Sequence, residues 1–144
     1  MMTVKDIFTA SEALKTLVSL KATDAVPAII ELLDRDHIGR EAVIALGELP
    51  DIRAAQPLAD RLEKNWPDAQ KGLIAIGPDA EQFVLPKLRD SKSRVRSIAC
   101  EVLAEIGGKE TLKTMKSLPA DSDFGVRIAA TDAMKKINER TKGR

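Results

Sequence analysis

An aliphatic residue followed by Gly or Asn recurs at nearly constant intervals along the chain. The four dipeptides are Leu46-Gly47, Ile76-Gly77, Ile106-Gly107 and Ile137-Asn138, which are 30, 30 and 31 residues apart. Gly and Asn tolerate the positive φ of a helix C-cap, so each dipeptide predicts the end of a helix. A period of this length is typical of stacked helical repeats, and it constrains the fold more than any other feature of the sequence.

The same apolar spacing precedes each predicted helix end. The residues are Gly39, Val43 and Leu46; Ala69, Leu73 and Ile76; Ala99, Leu103 and Ile106; and Ala130, Met134 and Ile137. Steps of four and three residues trace one face of a helix, so these residues are predicted to form the core. The first residue of each set is small, which favours the close approach of a neighbouring helix.

A second amphipathic stretch, about three turns long, precedes each of these helices. The stretches are residues 25–33, 52–62, 80–88 and 110–118, with Asp24 and Asp51 as predicted N-caps and Pro78 in a first turn. The pattern predicts an all-α single domain over residues 1–144. We expect an N-terminal cap (1–23), four helix-pair repeats (24–49, 50–77, 78–107 and 108–138) and a tail (139–144). In the cap, Thr3 and Asp6 suit a capping box, and Leu14, Leu17 and Val18 form an apolar stripe.

Several motifs resemble a known family. The stretch from Leu88-Arg89-Asp90 through Val95-Arg96 to Leu103-Ala104-Glu105-Ile106-Gly107 resembles the HEAT repeat, in the short subtype first described in phycobilisome lyases. Asp24-Ala25-Val26-Pro27 is similar to the same subtype. The resemblance covers about residues 24–138 and implies an α-α superhelix, a HEAT/armadillo-like solenoid.

The resemblance also implies a role for a recurrent Asp and Arg six residues apart. These pairs are Asp90 with Arg96 and Asp121 with Arg127, and in the family such a ladder fixes the spacing of helices. We therefore interpret all four residues as structural. The first repeat keeps Asp34 and Arg40 but has Gly39 where the others have Val, and the second repeat lacks the Arg.

The composition argues against several classes of function. His37 is the only histidine and the sequence has no Gly-rich phosphate loop, so we expect no metal, no cofactor and no catalysis. Cys100 is the only cysteine and lies in an apolar run, which predicts a buried thiol in a reducing compartment. With no signal-peptide pattern and no apolar stretch of about 18 residues, we expect a cytoplasmic protein that does not enter membranes.

One position predicts a binding surface. The residue three before each helix end points away from the predicted core, and it is Ile44, Ile74, Ala104 and Lys135 in the four repeats. Ile128 extends this apolar stripe, and its polar rim is Arg40, Glu41, Gln70, Lys71, Ser97, Glu101 and Thr131. Exposed apolar residues within a polar rim are typical of protein-binding sites. The alternative is that these side chains are buried between neighbouring helices, and for Trp66 too both a core position and an exposed anchor remain open.

The second half of the chain offers a rival surface. Residues 1–72 carry 9 Lys and Arg against 12 Asp and Glu, whereas residues 73–144 carry 14 against 10. Lys87, Arg89, Lys92 and Arg94 form a basic cluster, either a solvated face or an anion-binding edge. We predict a monomeric, non-catalytic scaffold that binds a protein or peptide on the concave face of the solenoid. The alternative is that nucleic acid or another polyanion binds to the basic C-terminal half.

Overall fold

The computed structural model describes residues 3–142. The α-helices within this range are α1 (Val4–Ser19), α2 (Val26–Ile30), α3 (Gly39–Glu48), α4 (Ala55–Ala59), α5 (Asp68–Ile76), α6 (Glu81–Val84), α7 (Ser93–Ile106), α8 (Lys109–Met115) and α9 (Phe124–Thr141). The same residues contain no β-strand. The predicted all-α fold is confirmed.

The helices that follow α1 alternate between two layers. The short helices α2, α4, α6 and α8 each pack on the next helix in the chain, which gives four helix pairs. The second helices α3, α5, α7 and α9 pack side by side, and α1 joins this row by packing on α3. We call this row of five helices the second-helix layer.

The predicted apolar spacing lies in the core. Leu46, Leu73, Leu103 and Ile137 are fully buried, and the small residues Ala69, Ala99 and Ala130 are buried beside them. Ile76 and Met134 are partly buried against the same core. The stripe of α1 behaves similarly, because Leu14 is buried while Leu17 and Val18 pack on the core. Each repeat therefore buries the face that the periodicity predicts.

The first helix of each pair is shorter than the three turns that we expected. A 3-10 turn precedes α2 (Thr23–Ala25), α4 (Ile52–Ala54) and α6 (Pro78–Ala80), and α6 runs directly into another at Leu85–Arg89. Pro86 lies in this last segment and has no N–H to donate to the carbonyl four residues earlier, so the α-helix cannot continue through it.

The helix ends differ from the prediction at three of the four positions. Gly77 has a positive φ of 86° at the end of α5, as expected of a left-handed cap. Gly47 instead lies inside α3, Gly107 is extended with φ −72° and ψ 155°, and Asn138 lies inside α9. The prediction of a left-handed cap is wrong at these three because helices also end through extended residues, and because α9 continues to Thr141.

The predicted N-caps are partly confirmed. Thr3 and Asp6 form the capping box, since each backbone N–H donates to the other residue's side chain. Asp51 accepts from the N–H of Arg53 at 2.9 Å. Asp24 is not a cap, because it lies inside a 3-10 turn that lacks a side-chain cap. The cap of α9 is Asp123, which the sequence analysis did not identify.

Two residues from neighbouring repeats cap the junction between α7 and α8. Glu81 Oε1 accepts from the N–H of Gly108 at 2.9 Å, and from the N–H and hydroxyl of the buried Thr111 at 3.1 and 2.6 Å. Arg140 donates to the carbonyls of Ala104 at 2.8 Å and Gly107 at 2.6 Å. The backbone N–H groups at the start of α8 and the backbone carbonyls at the end of α7 therefore hydrogen-bond to side chains about one repeat away in sequence.

Replacing Glu81 by Ala tests this arrangement. The substitution leaves two backbone N–H groups and the Thr111 hydroxyl without their acceptor, so we expect a loss of about 1–3 kcal/mol in the free energy of unfolding. Urea unfolding followed by circular dichroism measures it. The exposed neighbour Gln82→Ala is the control, and equal stability of both variants would contradict the capping role.

Two glycines lie at the closest approach of α3 and α5. A Cβ on Gly72 would lie 2.7 Å from Leu58 Cδ1 and 3.1 Å from Gly47 Cα, whereas a Cβ on Gly47 would lie 3.5 Å from Gly72 Cα. Leu58 is fully buried, and a side chain in a close-packed core moves aside only at a cost in free energy. The two glycines therefore face each other but differ in the space beside them.

This asymmetry predicts opposite results for the same substitution. Gly72→Ala is expected to lose about 1–2 kcal/mol in the free energy of unfolding, because overpacking outweighs the gain in helix propensity. Gly47→Ala makes an ordinary contact, so it is expected to be neutral or up to about 1 kcal/mol more stable. Parallel urea titrations compare them, and a loss of stability in Gly47→Ala alone would contradict the packing argument.

Candidate protein-binding site

An open groove of about 790 Å³ crosses α5, α7 and α9 on the second-helix layer. Its apolar lining includes Ile74, Ala104, Phe124, Ile128, Ala129 and Ala133. Its polar lining is Gln70, Ser97, Glu101, Glu105, Asp132 and Lys136. We call it the C-terminal groove. It brings together five of the predicted binding residues: Gln70, Ile74, Ser97, Glu101 and Ile128.

The groove exists because small residues lie between larger ones. Ala104 occupies in α7 the position that Ile74 occupies in α5, three residues before the helix end. Ala104 is buried, whereas Ile74 is half-buried and Ile128 is 49% exposed. The missing side-chain volume at Ala104 therefore leaves a hollow with Ile74 and Ile128 on its two sides.

Phe124 lines the groove and was not predicted. It is 68% exposed at the start of α9, and the Arg127 guanidinium lies 5.5 Å from the centre of its ring. If the third and fourth repeats are aligned on Asp90 and Asp121, Phe124 takes the place of Ser93. An aromatic residue where the neighbouring repeat has a serine was the signal that could have identified it.

Ile44 lies in a second groove, of about 490 Å³, between α1 and α3. The lining of this N-terminal groove is Ser11, Leu14, Lys15, Val18, Ser19, Glu41, Ile44, Ala45 and Glu48. Ile44 is 36% exposed. The predicted apolar stripe is therefore divided, with Ile44 and Glu41 in one groove and Ile74 and Ile128 in the other.

Trp66 lies beside the C-terminal groove and is 42% exposed, which favours the exposed interpretation of this residue over the core one. Its indole Nε1–H donates to Gln70 Oε1 at 2.6 Å, and Gln70 Nε2 donates to Glu101 Oε2 at 3.2 Å. The Arg94 guanidinium lies 5.5 Å from the ring centre. A chain of polar contacts thus connects the indole to the groove wall.

Three residues of the predicted rim line neither groove. Arg40 is exposed, and its Nε lies 3.3 Å from Asp68 Oδ2 of the next repeat. Lys71 and Thr131 are also exposed. The polar rim of the grooves is therefore smaller than the sequence analysis proposed.

The basic cluster is largely paired with acidic side chains. Lys87 Nζ lies 2.7 Å from Asp60 Oδ1, and Lys92 Nζ lies 2.7 Å from Glu63 Oε2, each partner belonging to the preceding repeat. Arg94 stacks on Trp66, as described above. Of the four residues, Arg89 alone has neither an ion pair nor an aromatic partner within residues 3–142. These partners weaken the positive potential of the cluster.

The Asp and Arg residues of the ladder interact between repeats. Arg96 Nη2 and Nε donate to the two carboxylate oxygens of Asp121 at 2.9 and 3.0 Å, while its Nη1 donates to the Asp90 carbonyl at 2.8 Å. Arg127 donates to the Asp121 carbonyl at 2.8 Å. The hydrogen bonds from Arg96 lower the pKa of Asp121 and raise that of Arg96. This geometry supports a structural role for all four residues.

The residues considered for chemistry lie apart from both grooves. Cys100 is fully buried, and this burial raises the pKa of its thiol to about 12. His37 is exposed. Between residues 3 and 142, no three His, Cys, Asp or Glu side chains are placed to hold a metal ion together. Over the same range, no helix combines the length and hydrophobicity needed to cross a membrane.

Comparison with protein families identifies the class of this fold. The sequence model of the family described as HEAT repeats matches residues 6–77 and 78–142, which together span nearly the whole chain. The chain therefore belongs to the HEAT-repeat family. This fold is generally non-catalytic and commonly serves as a scaffold for protein interactions. The match does not distinguish the phycobilisome-lyase subtype, which stays a prediction, and the search of curated proteins found no match.

The Asp121 carboxylate predicts a pH dependence of stability. Because its pKa is lower in the folded chain than in the unfolded one, its contribution is present above about pH 3.8 and is lost as the pH falls through the folded value. We expect Asp121→Asn to lower the urea midpoint at neutral pH, and the difference from the original chain to shrink as the pH falls below about 3.8. The exposed Asp79→Asn is the control. A difference that stays constant until both chains unfold in acid would exclude the carboxylate as its source.

Proposed function

We propose that the chain is a non-catalytic module that binds a segment of a partner protein in the C-terminal groove. The observation that carries this proposal is the exposure of Ile128 and Phe124 beside the hollow at Ala104. Apolar side chains around an open groove lose contact with water when a partner covers them, at about 25 cal/mol per Å² of apolar surface.

The surroundings of the groove suit protein recognition. Trp, Phe and Arg are enriched at protein interfaces, and here Trp66 lies next to Arg94 and Phe124 next to Arg127. The family supplies the general role, since HEAT repeats commonly act as scaffolds.

We also propose that the protein performs no catalysis and works as a monomer in the cytoplasm. The side chains that could act in catalysis do not converge: Cys100 is a buried thiol, and His37 lies at an exposed turn. A free cysteine with no disulfide partner suits a reducing compartment.

Polyanion binding by Lys87, Arg89, Lys92 and Arg94 is the weaker candidate. Lys87 and Lys92 are engaged by Asp60 and Glu63, so a phosphate group would have to compete with those carboxylates. If the edge did bind nucleic acid, affinity for a labelled oligonucleotide would fall steeply with added salt and with Arg94→Ala.

The groove is tested by replacing one exposed isoleucine inside it and one outside it. Peptides are selected from a random displayed library on the immobilised chain, then synthesised, labelled and titrated by fluorescence anisotropy. Ile128→Asp places a charge in the apolar lining, so we expect at least about tenfold weaker binding, which corresponds to about 1.4 kcal/mol.

Ile52→Asp is the matched control, because Ile52 is 44% exposed but lies in the 3-10 turn before α4 and lines neither groove. Its affinity is expected to equal that of the original chain. Selected peptides that bind Ile128→Asp and the original chain equally well would show that the groove is not the binding site.

A further inference from the structure

The charges of the two grooves are opposite in sign to that of the chain. The whole chain has a formal net charge of +1. The C-terminal groove, however, is lined by the carboxylates of Glu101, Glu105 and Asp132 and by only one cationic side chain, that of Lys136. Acidic residues are thus concentrated where the apolar lining is exposed.

The single cation of the C-terminal groove is already paired. Lys136 Nζ lies 2.6 Å from Glu105 Oε1, so these two charges largely cancel. Glu101 accepts only a neutral hydrogen bond, from Gln70, and Asp132 has no cationic partner within residues 3–142. Two uncompensated carboxylates therefore remain on the polar wall of the groove.

The N-terminal groove has the same arrangement. Its charged lining is Lys15, Glu41 and Glu48, and Lys15 Nζ lies 2.8 Å from Glu12 outside the lining. Across the described part of the chain, neither Glu41 nor Glu48 forms an ion pair. Both apolar grooves of the second-helix layer thus present unpaired carboxylates.

We propose that the C-terminal groove recognises a basic amphipathic segment, with apolar side chains seated between Ile74 and Ile128 and Lys or Arg side chains against Glu101 and Asp132. This inference rests on the proposed function and adds the chemistry of the partner. Opposite charges beside an apolar contact favour the correct partner and repel acidic ones. The same carboxylates repel phosphate, which separates this surface from a nucleic-acid site.

The probes are three synthetic peptides of equal length. The first is a helical leucine–lysine peptide, the second has glutamate in place of every lysine, and the third has serine in place of every leucine. Trp66 is the only tryptophan of the chain, and its Nε1–H donates to Gln70 in the groove wall, so its fluorescence and indole NMR signal report occupancy.

The expected result is saturable binding of the leucine–lysine peptide, with both other peptides at least about tenfold weaker. The double variant Glu101→Gln with Asp132→Asn is expected to weaken binding of the leucine–lysine peptide about tenfold. Asp79→Asn removes a carboxylate that lines neither groove, so it is expected to leave the affinity unchanged.

Each other outcome overturns the inference in a distinct way. Equal binding of the lysine and glutamate peptides, both lost on Ile128→Asp, would leave the apolar groove as the binding site and exclude a basic partner. If the serine–lysine peptide bound as tightly as the leucine–lysine peptide, the binding would depend on charge alone and not on the apolar groove. Absence of binding by all three peptides would exclude the basic segment, while the displayed-library selection decides separately whether the groove binds a protein at all.

Discussion

The close packing of second helices against their own first helices and against one another underlies the rest of this structure. No helix of a pair buries its apolar face alone, so each relies on the neighbouring repeat for part of its core. The residue at the start of each apolar set is small and buried, Gly39 in the first and Ala in the other three, and together with Gly72 at the crossing of α3 and α5 it permits this approach. Where a small residue lies between larger ones, as Ala104 does between Ile74 and Ile128, the same row of helices leaves a groove.

The periodicity of the sequence was sufficient to predict the repeats and most of the core. The residues eight and four before each predicted C-cap Gly or Asn are buried, Met134 only partly, because a helix that packs on both sides must keep one apolar face in register. The ends themselves were less predictable. Gly77 ends its helix with a positive φ, whereas Asn138 lies inside α9, where Arg140, two residues later, donates to the carbonyls of Ala104 and Gly107.

The residues of the C-terminal groove were also predicted only in part. Ile74 and Ile128 follow from the helical wheel, which locates apolar residues opposite the core. The groove between Ile74 and Ile128 does not follow from the helical wheel, because it depends on the small size of the Ala104 side chain between them. The basic cluster was predicted from Lys and Arg residues that are close together in sequence. The carboxylates that pair with two of them were missed, because Asp60 and Glu63 lie 27 and 29 residues before Lys87 and Lys92. Ion pairs between residues about one repeat apart can be predicted only when the repeat period is applied to polar residues as well as to apolar ones.

The polar contacts around Gly107 and Gly108 have a consequence for how the chain unfolds. Glu81 belongs to the third repeat but caps the first helix of the fourth, and Arg140, at the end of the second helix of the fourth, caps the second helix of the third. Each of these two repeats thus supplies a capping side chain to the other. If one of them separates, backbone groups of the other lose their hydrogen-bond partners. Fraying from the C-terminal end would therefore proceed by two repeats at a time, and the smallest cooperative unit in this half of the solenoid is larger than the unit repeated in the sequence.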